Sequence, residues 1–163
     1  AGKSKRFKPI SDYCPKGLSI VKGEVLVERQ IKQLQAVGIT DITLVVGYKK
    51  EMFFYLADKY DVKIVVNEQY DTQDNVSSLR LVLDQLDNTY ICSVDNYYPE
   101  NLFKTYEYRG FYSTIYVENN SDEWVVRTDE AGLINDVNIG APSGHIMLGF
   151  VYFVRTLDES FTM

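Results

Sequence analysis

Apolar residues recur at Val27, Ile31, Leu34 and Val37, every three to four positions, which lines one face of a helix over residues 24–37. Gly38 follows as a natural stop, because glycine adopts the left-handed conformation that ends helices. Residues 42–46 are a short β-branched apolar run closed by Gly47, the pattern of a buried strand. Helical spacing returns over 49–60 through Phe53, Leu56 and Tyr60, and 62–66 reads as a second buried strand. Leu79, Leu83 and Leu86 predict a helix over 76–86, capped by Asp74 or Asn75. An apolar strand over 90–94 then runs into Asp95. Strands alternating with helices at this spacing predict an α/β fold with a parallel, doubly wound sheet.

Beyond residue 110 the period shortens. Residues 112–117, 123–128, 133–137 and 145–154 read as strands separated by turns, and Asp129–Gly132 carries a hairpin signal. This half predicts an antiparallel β extension. Residues 1–17, with Gly2, Pro9, Pro15 and Gly17, form an irregular loop. No linker interrupts the chain, so a single domain over 1–163 is expected. Its opening on a loop and its end within an incipient helix suggest a fragment truncated at both ends.

Composition narrows the function. Net charge is −6 and the pI about 4.8, which disfavours general binding to a nucleic-acid backbone. Against that acidic background, Lys3, Lys5, Arg6, Lys8, Lys16 and Lys22 cluster in the first 22 residues with Asp12 as their one acid. Such a cluster suits either one anionic ligand or a solvated terminus. Two cysteines, Cys14 and Cys92, make a disulfide framework improbable and the cytoplasm the expected compartment. No window nears the ~20 apolar residues a membrane-spanning helix needs, so membrane insertion is not expected.

Four groups of residues suit chemistry. In the opening loop, Gly2 lets backbone amides approach a phosphate, Lys3, Arg6 and Lys16 supply cations, and the prolines stiffen the turn. Gly2-Lys3-Ser4 also matches the end of a phosphate-binding P-loop, but that motif must open a helix, and Pro9 inside its second turn would cost ~3 kcal/mol. Asp95, at the end of a strand, stands where open α/β sheets bind ligands, and a carboxylate there suits Mg²⁺ bridged to phosphates. An ordinary turn cap by Asp95-Asn96 is the equal alternative. Asn75 and Ser78, at a strand-to-helix junction, suit a base or ribose, although capping explains them more simply. Glu123, Trp124, Tyr97 and Tyr98 offer the aromatic faces and negative charge that recognise a quaternary ammonium group, with strand packing the simpler reading of Trp124.

Taken together, these segments identify a resemblance. Residues 1–16 align without gaps to the signature of nucleotidyltransferases that join a nucleoside monophosphate to a phosphorylated acceptor: a glycine-rich turn, an arginine, a proline, and then Pro-Lys, here Pro15-Lys16. Val46-Gly47-Tyr48-Lys49-Lys50-Glu51, Asp74-Asn75, Ser78-Leu79, Val94-Asp95-Asn96-Tyr97, Asp122-Glu123-Trp124 and the 144–149 segment resemble bacterial phosphocholine cytidylyltransferases. The resemblance implies a Rossmann-like, mostly parallel sheet lacking its N-terminal strand and its C-terminal part. It implies CTP and phosphocholine as substrates and Mg²⁺ as cofactor. It implies that Gly2, Lys3 and Arg6 hold the triphosphate, Lys16 neutralises the reacting phosphates, Asp95 binds the metal, Asn75 and Ser78 lie near the nucleotide, and Glu123, Trp124 and Tyr97 lie near choline. A sugar-1-phosphate nucleotidyltransferase and a nucleotide-binding module without turnover are the alternatives. Three departures motivate the latter. Ser4 replaces the second signature glycine, Lys5 replaces a hydroxyl residue, and the second metal aspartate of the family has no match, Asp158 standing in a different context.

Overall fold

The computed structural model describes residues 2–3, 7–72, 75–118 and 121–154. The fold is mixed α/β, and the chain packs as two compact units. One comprises Ala1–Leu86 with Val94–Glu107, the other Asp87–Ser93 with Tyr108–Met163.

The first unit opens with irregular turns and a two-residue hairpin, β1 (Ile20–Val21) against β2 (Glu24–Val25). Lys22 and Gly23 both take positive φ in its turn. Helix α1 (Leu26–Ala36) follows directly, and the hairpin explains why it starts two residues later than its polar pattern suggests. Its end is as expected. Gly38 adopts φ 83°, its N–H donates to the Gln35 carbonyl, and the Ile39 N–H donates to the Leu34 carbonyl. That pair of bonds satisfies the last carbonyls of the helix.

Strands β3 (Thr43–Val46) and β4 (Lys63–Val66) pair in parallel, in register from Thr43↔Lys63 to Val46↔Val66. Among the described residues this is the parallel pairing of the sheet. Val27 and Ile31 of α1 meet Ile42, Val46, Phe53, Leu56 and Val62 in one buried core. The segment between the two strands is not one continuous helix. Lys49 takes φ 52°, Lys50–Phe53 forms a 3₁₀ turn, and α2 covers Tyr55–Tyr60. The turn points Phe53 inward, 8% exposed, which a regular α-helix starting at 49 would not guarantee. Likewise α3 spans Asn75–Arg80 only, with Leu83–Gln85 in a 3₁₀ turn. Val82 is buried while Leu83 is 58% exposed, so the predicted leucine stripe breaks at its middle residue.

The second unit is an antiparallel sheet of β5 (Thr89–Cys92), β6 (Phe111–Val117), β7 (Ser121–Thr128), β8 (Ile134–Ala141) and β9 (Gly144–Phe153). The antiparallel extension was expected here, and residues 89–92 join it: β5 pairs antiparallel with β9, from Thr89↔Phe153 to Cys92↔Phe150. An apolar run alone does not distinguish the two kinds of pairing. Tyr90, Phe111, Phe150 and Tyr152 form an aromatic cluster, with Tyr90 and Tyr152 edge to face at 4.8 Å. The hairpin between β7 and β8 is built as predicted. The Asp129 carboxylate accepts from the N–H groups of Ala131 and Leu133, and Gly132 takes φ 78°. Among the described residues no helix is long and apolar enough to cross a membrane.

Candidate functional site

Two residues distant in sequence meet in the first unit. Lys16 opens a 3₁₀ turn (Lys16–Leu18) behind Pro15. Gly17 is buried, and a Cβ built on it would stand 2.7 Å from Val94 Cγ2. Only a residue without a side chain lets this turn lie so close to Val94. The packing brings Lys16 alongside the next residue, Asp95, and its Nζ donates to Asp95 Oδ2 at 2.7 Å. The two side chains remain 38% and 36% exposed, so the pair contributes little to stability and stays open to ligands.

β5 ends at Cys92, and no regular structure holds Asp95 or the residues after it. Helix α1 supports them instead. Gln30 Nε2 donates to the Asn96 carbonyl at 2.8 Å, and Gln33 Nε2 donates to those of Tyr98 and Glu100, each at 3.1 Å. Arg29 donates from Nε to the Tyr98 carbonyl at 3.0 Å and from Nη2 to that of Pro99 at 2.7 Å, while its Nη1 pairs with Glu24. The Arg29 guanidinium also lies 4.8 Å from the Tyr97 ring centroid, and Lys22 Nζ lies 5.3 Å from it. Tyr97 thus already faces two cations of its own chain, and Tyr98 is no open aromatic face, being 8% exposed and edge to face with Phe103 at 5.9 Å.

The remaining loop residues divide. Gly2 is exposed. Lys3 Nζ pairs with Asp71 at 2.5 Å and lies 6.0 Å from the Tyr70 ring, so its charge is partly engaged. Lys49 ties the far side of the loop by donating to the Asp12 carbonyl at 2.5 Å. Arg6, with Ser4 and Lys5, lies outside the described residues, as do Asp74 and Asp158.

Asn75 is the first residue of α3, and its side chain is outside what the structure describes. Ser78 is placed by a residue that sequence reasoning missed. Asn67, 3% exposed, follows β4 and donates from Nδ2 to the hydroxyls of Ser77 and Ser78, each at 3.0 Å, while its Oδ1 accepts from the Gln69 N–H at 2.9 Å. A polar residue directly after a β-branched run was the available signal.

In the second unit, Glu123 and Trp124 lie on β7, and Trp124 pairs with Ile139 of β8. Trp124 is 53% exposed and Ile139 66% exposed, so this tryptophan is not core packing. The face it occupies remains accessible.

A divalent hard cation such as Mg²⁺ is held by one or two carboxylates and completes its shell with water and phosphate oxygens. Asp95, exposed and beside a phosphate-type cation, fits that one-carboxylate role. No group of three or more His, Cys, Asp or Glu side chains arranged as metal ligands occurs among the described residues.

The chain is similar to proteins already known. Residues 1–105 match the MobA-like NTP transferase domain. The choline-phosphate cytidylyltransferase of Streptococcus pneumoniae (strain ATCC BAA-255 / R6) is 35% identical over 153 residues, covering 94% of this chain and 67% of that protein. The 2-aminoethylphosphonate cytidylyltransferase of Lancefieldella rimae is 32% identical over 157 residues, covering 94% of this chain and 64% of that protein. The chain thus spans about two thirds of the length of these relatives. Among solved structures, CTP:phosphocholine cytidylyltransferase from Streptococcus pneumoniae (LicC) superposes with a TM-score of 0.90 at 34% identity, over 98% of this chain and 70% of that one.

Proposed function

The chain belongs to the MobA-like NTP transferase family, and on that premise we propose that it transfers CMP from CTP to phosphocholine, giving CDP-choline and pyrophosphate. The observation that carries the reading is the 2.7 Å approach of Lys16 to Asp95, which unites a phosphate-type cation and a metal-type carboxylate at one place. The full substrate reading draws on the relatives that share most of this chain's length.

In this reaction a phosphate oxygen of phosphocholine attacks the α-phosphorus of CTP in line. The new oxygen–phosphorus bond forms as the bond to the β-phosphate oxygen breaks, and pyrophosphate leaves with the electron pair. The acceptor oxygen is already ionised, so no side-chain nucleophile or base is required. The obstacle is the approach of two anions, and alignment with charge neutralisation removes most of it. Gly2, Lys3 and Arg6 hold the triphosphate in this proposal, and Lys16 turns from Asp95 to the reacting phosphates. Asp95 would hold Mg²⁺, which would supply further positive charge to the phosphate oxygens. Asn75 and Ser78 lie near the nucleotide in this proposal, Ser78 oriented by Asn67. Glu123 and Trp124 receive the choline group, the half-exposed Trp124 ring offering a face to a cation that has no N–H to donate.

One observation favours a second acceptor. The Lancefieldella rimae relative is named for 2-aminoethylphosphonate, whose ammonium and phosphonate mirror the two ends of phosphocholine. Pyrophosphate release from CTP should therefore be measured with phosphocholine, 2-aminoethylphosphonate and a hexose 1-phosphate in parallel, with and without Mg²⁺. Phosphocholine is expected to give the highest kcat/KM, and Asp95→Ala to lower it by roughly 10²–10³-fold, the several kcal/mol that metal stabilisation supplies. A preference for either other acceptor would replace phosphocholine. CTP binding without turnover on any acceptor would favour a module that senses nucleotide.

A further inference from the structure

Asp95 stands in a stretch of chain with no ladder of its own. A carboxylate so placed is only as well aimed as the backbone around it, and backbone carbonyls outside strands and helices need partners from elsewhere. Here a single helix face provides them. Arg29, Gln30 and Gln33 of α1 hold the carbonyls of Asn96, Tyr98, Pro99 and Glu100. The supports are well shielded: Gln30 is 5% and Gln33 9% exposed. The bond nearest the site is that of Gln30, whose acceptor belongs to the residue directly after Asp95. Asn101 returns the contact, donating from Nδ2 to the Gln33 carbonyl at 2.7 Å. On the other side of Asp95, Val94 is pressed against Gly17. The carboxylate therefore projects from a segment pinned on both flanks.

Building on the metal role proposed for Asp95, we infer that Gln30 and Arg29 are positioning residues for that carboxylate. Neither touches a reacting group. Gln30 fixes the peptide that follows Asp95, and Arg29 clamps the next turn through two carbonyls and the Tyr97 ring. Together they set the direction in which the carboxylate meets a cation. Supporting groups of this kind tune a ligand's affinity by 10–100-fold when removed.

Helix α1 also contains its own control. Gln35 makes the same kind of bond, Nε2 to the Tyr60 carbonyl at 2.8 Å, but to the end of α2 rather than to the Asp95 segment. Gln30→Met and Gln35→Met each keep side-chain length and helix preference while removing the amide that makes the named bond. Mn²⁺, a spin-active substitute for Mg²⁺, is titrated in the presence of saturating CTP and followed by electron paramagnetic resonance. The same variants are melted thermally, and CTP binding is measured in EDTA.

Gln30→Met is expected to weaken Mn²⁺ binding about tenfold or more, with CTP binding in EDTA unchanged. Gln35→Met is expected to lose similar thermal stability and bind Mn²⁺ as the parent does. Arg29→Met gives a second reading on the same segment. If Gln30→Met and Arg29→Met bind Mn²⁺ like the parent while Asp95→Asn does not, the positioning inference is overturned and the metal role of Asp95 stands. If Asp95→Asn also binds like the parent, the metal role fails and the inference falls with it. Equal weakening by Gln30→Met and Gln35→Met would reduce the effect to general destabilisation and overturn the inference as well.

Discussion

Replacing Gly17 by alanine tests how the site is assembled. The added Cβ would meet Val94 Cγ2 at 2.7 Å and Val94 Cβ at 3.1 Å, the first about 0.7 Å inside ordinary contact. Valine is branched at Cβ and has few rotamers with which to evade the clash. The turn carrying Lys16, or the segment carrying Asp95, must therefore move. Overpacking of this kind costs about 1–3 kcal/mol, which for a chain of this size lowers Tm by roughly 2–10 °C. The displacement also separates the Lys16 and Asp95 groups, so kcat/KM for pyrophosphate release should drop roughly 10–100-fold, the scale attached to misplacements near 1 Å. The decisive variant is the double one. Val94→Ala removes the Cγ2 methyl that meets the new Cβ at 2.7 Å, keeps the Val94 Cβ at 3.1 Å, and alone costs about 1–2 kcal/mol. With that methyl absent, the severest contact of the new Cβ at 17 is relieved, so the double variant should be less destabilised than the two single changes added together, and part of the activity should return. Thermal melts and the pyrophosphate assay on all four proteins decide the matter. Strict additivity, or a Gly17→Ala protein with parental Tm and rate, would refute the claim that this contact seats Lys16 against Asp95.

Two further outcomes follow from buried groups. Burial pushes the Glu28 carboxyl up, but hydrogen bonds from Tyr60, Lys59 and Tyr55, together with the Lys59 charge, outweigh it and hold the group below its usual range near 4.5. Its contribution to stability is therefore present above about pH 4.5 and is lost as pH falls through the lower folded value. Glu28→Gln should cost about 1–3 kcal/mol at pH 7 and flatten the decline of Tm between pH 5 and 3, whereas an unchanged acid profile would remove Glu28 from that role. The Cys92 thiol is pushed up to about 12 by burial, so iodoacetamide at pH 8 should leave it unmodified in the folded protein and alkylate it after denaturation. Rapid native labelling of the peptide containing Cys92, read by mass spectrometry, would contradict that burial.

Much of this was legible in the chain because it depends on local rules. The apolar stripe of α1 ends where Gly38 takes positive φ, and Asp129 to Gly132 close a hairpin through their own side-chain and backbone preferences. Lys16 and Asp95 were legible as candidates, each from its own surroundings, and their meeting was the test of the pattern. The helices over 49–60 and 76–86 were misjudged in length. Spacing of three to four residues does not separate an α-helix from a 3₁₀ turn followed by a short helix, and the burial of Phe53 and Val82 decided between them. Gln30 and Arg29 were silent for a different reason. A glutamine or arginine on a helix normally reads as a solvated residue, and its role depends on which carbonyls a distant loop brings to it. The direction of β5 was hidden as well, since its partner β9 lies more than fifty residues further along.

The contact between Lys16 and Asp95 bears on the order in which ligands load. An ammonium resting on a carboxylate is unavailable to a polyphosphate, and the carboxylate is correspondingly less attractive to a dication. On the roles proposed above, whichever partner arrives first must dissolve the pairing, and the second then finds its position vacated. Linkage makes that assistance mutual, so nucleotide and metal should each strengthen the other's hold, and neither affinity has one value without stating whether the other is bound.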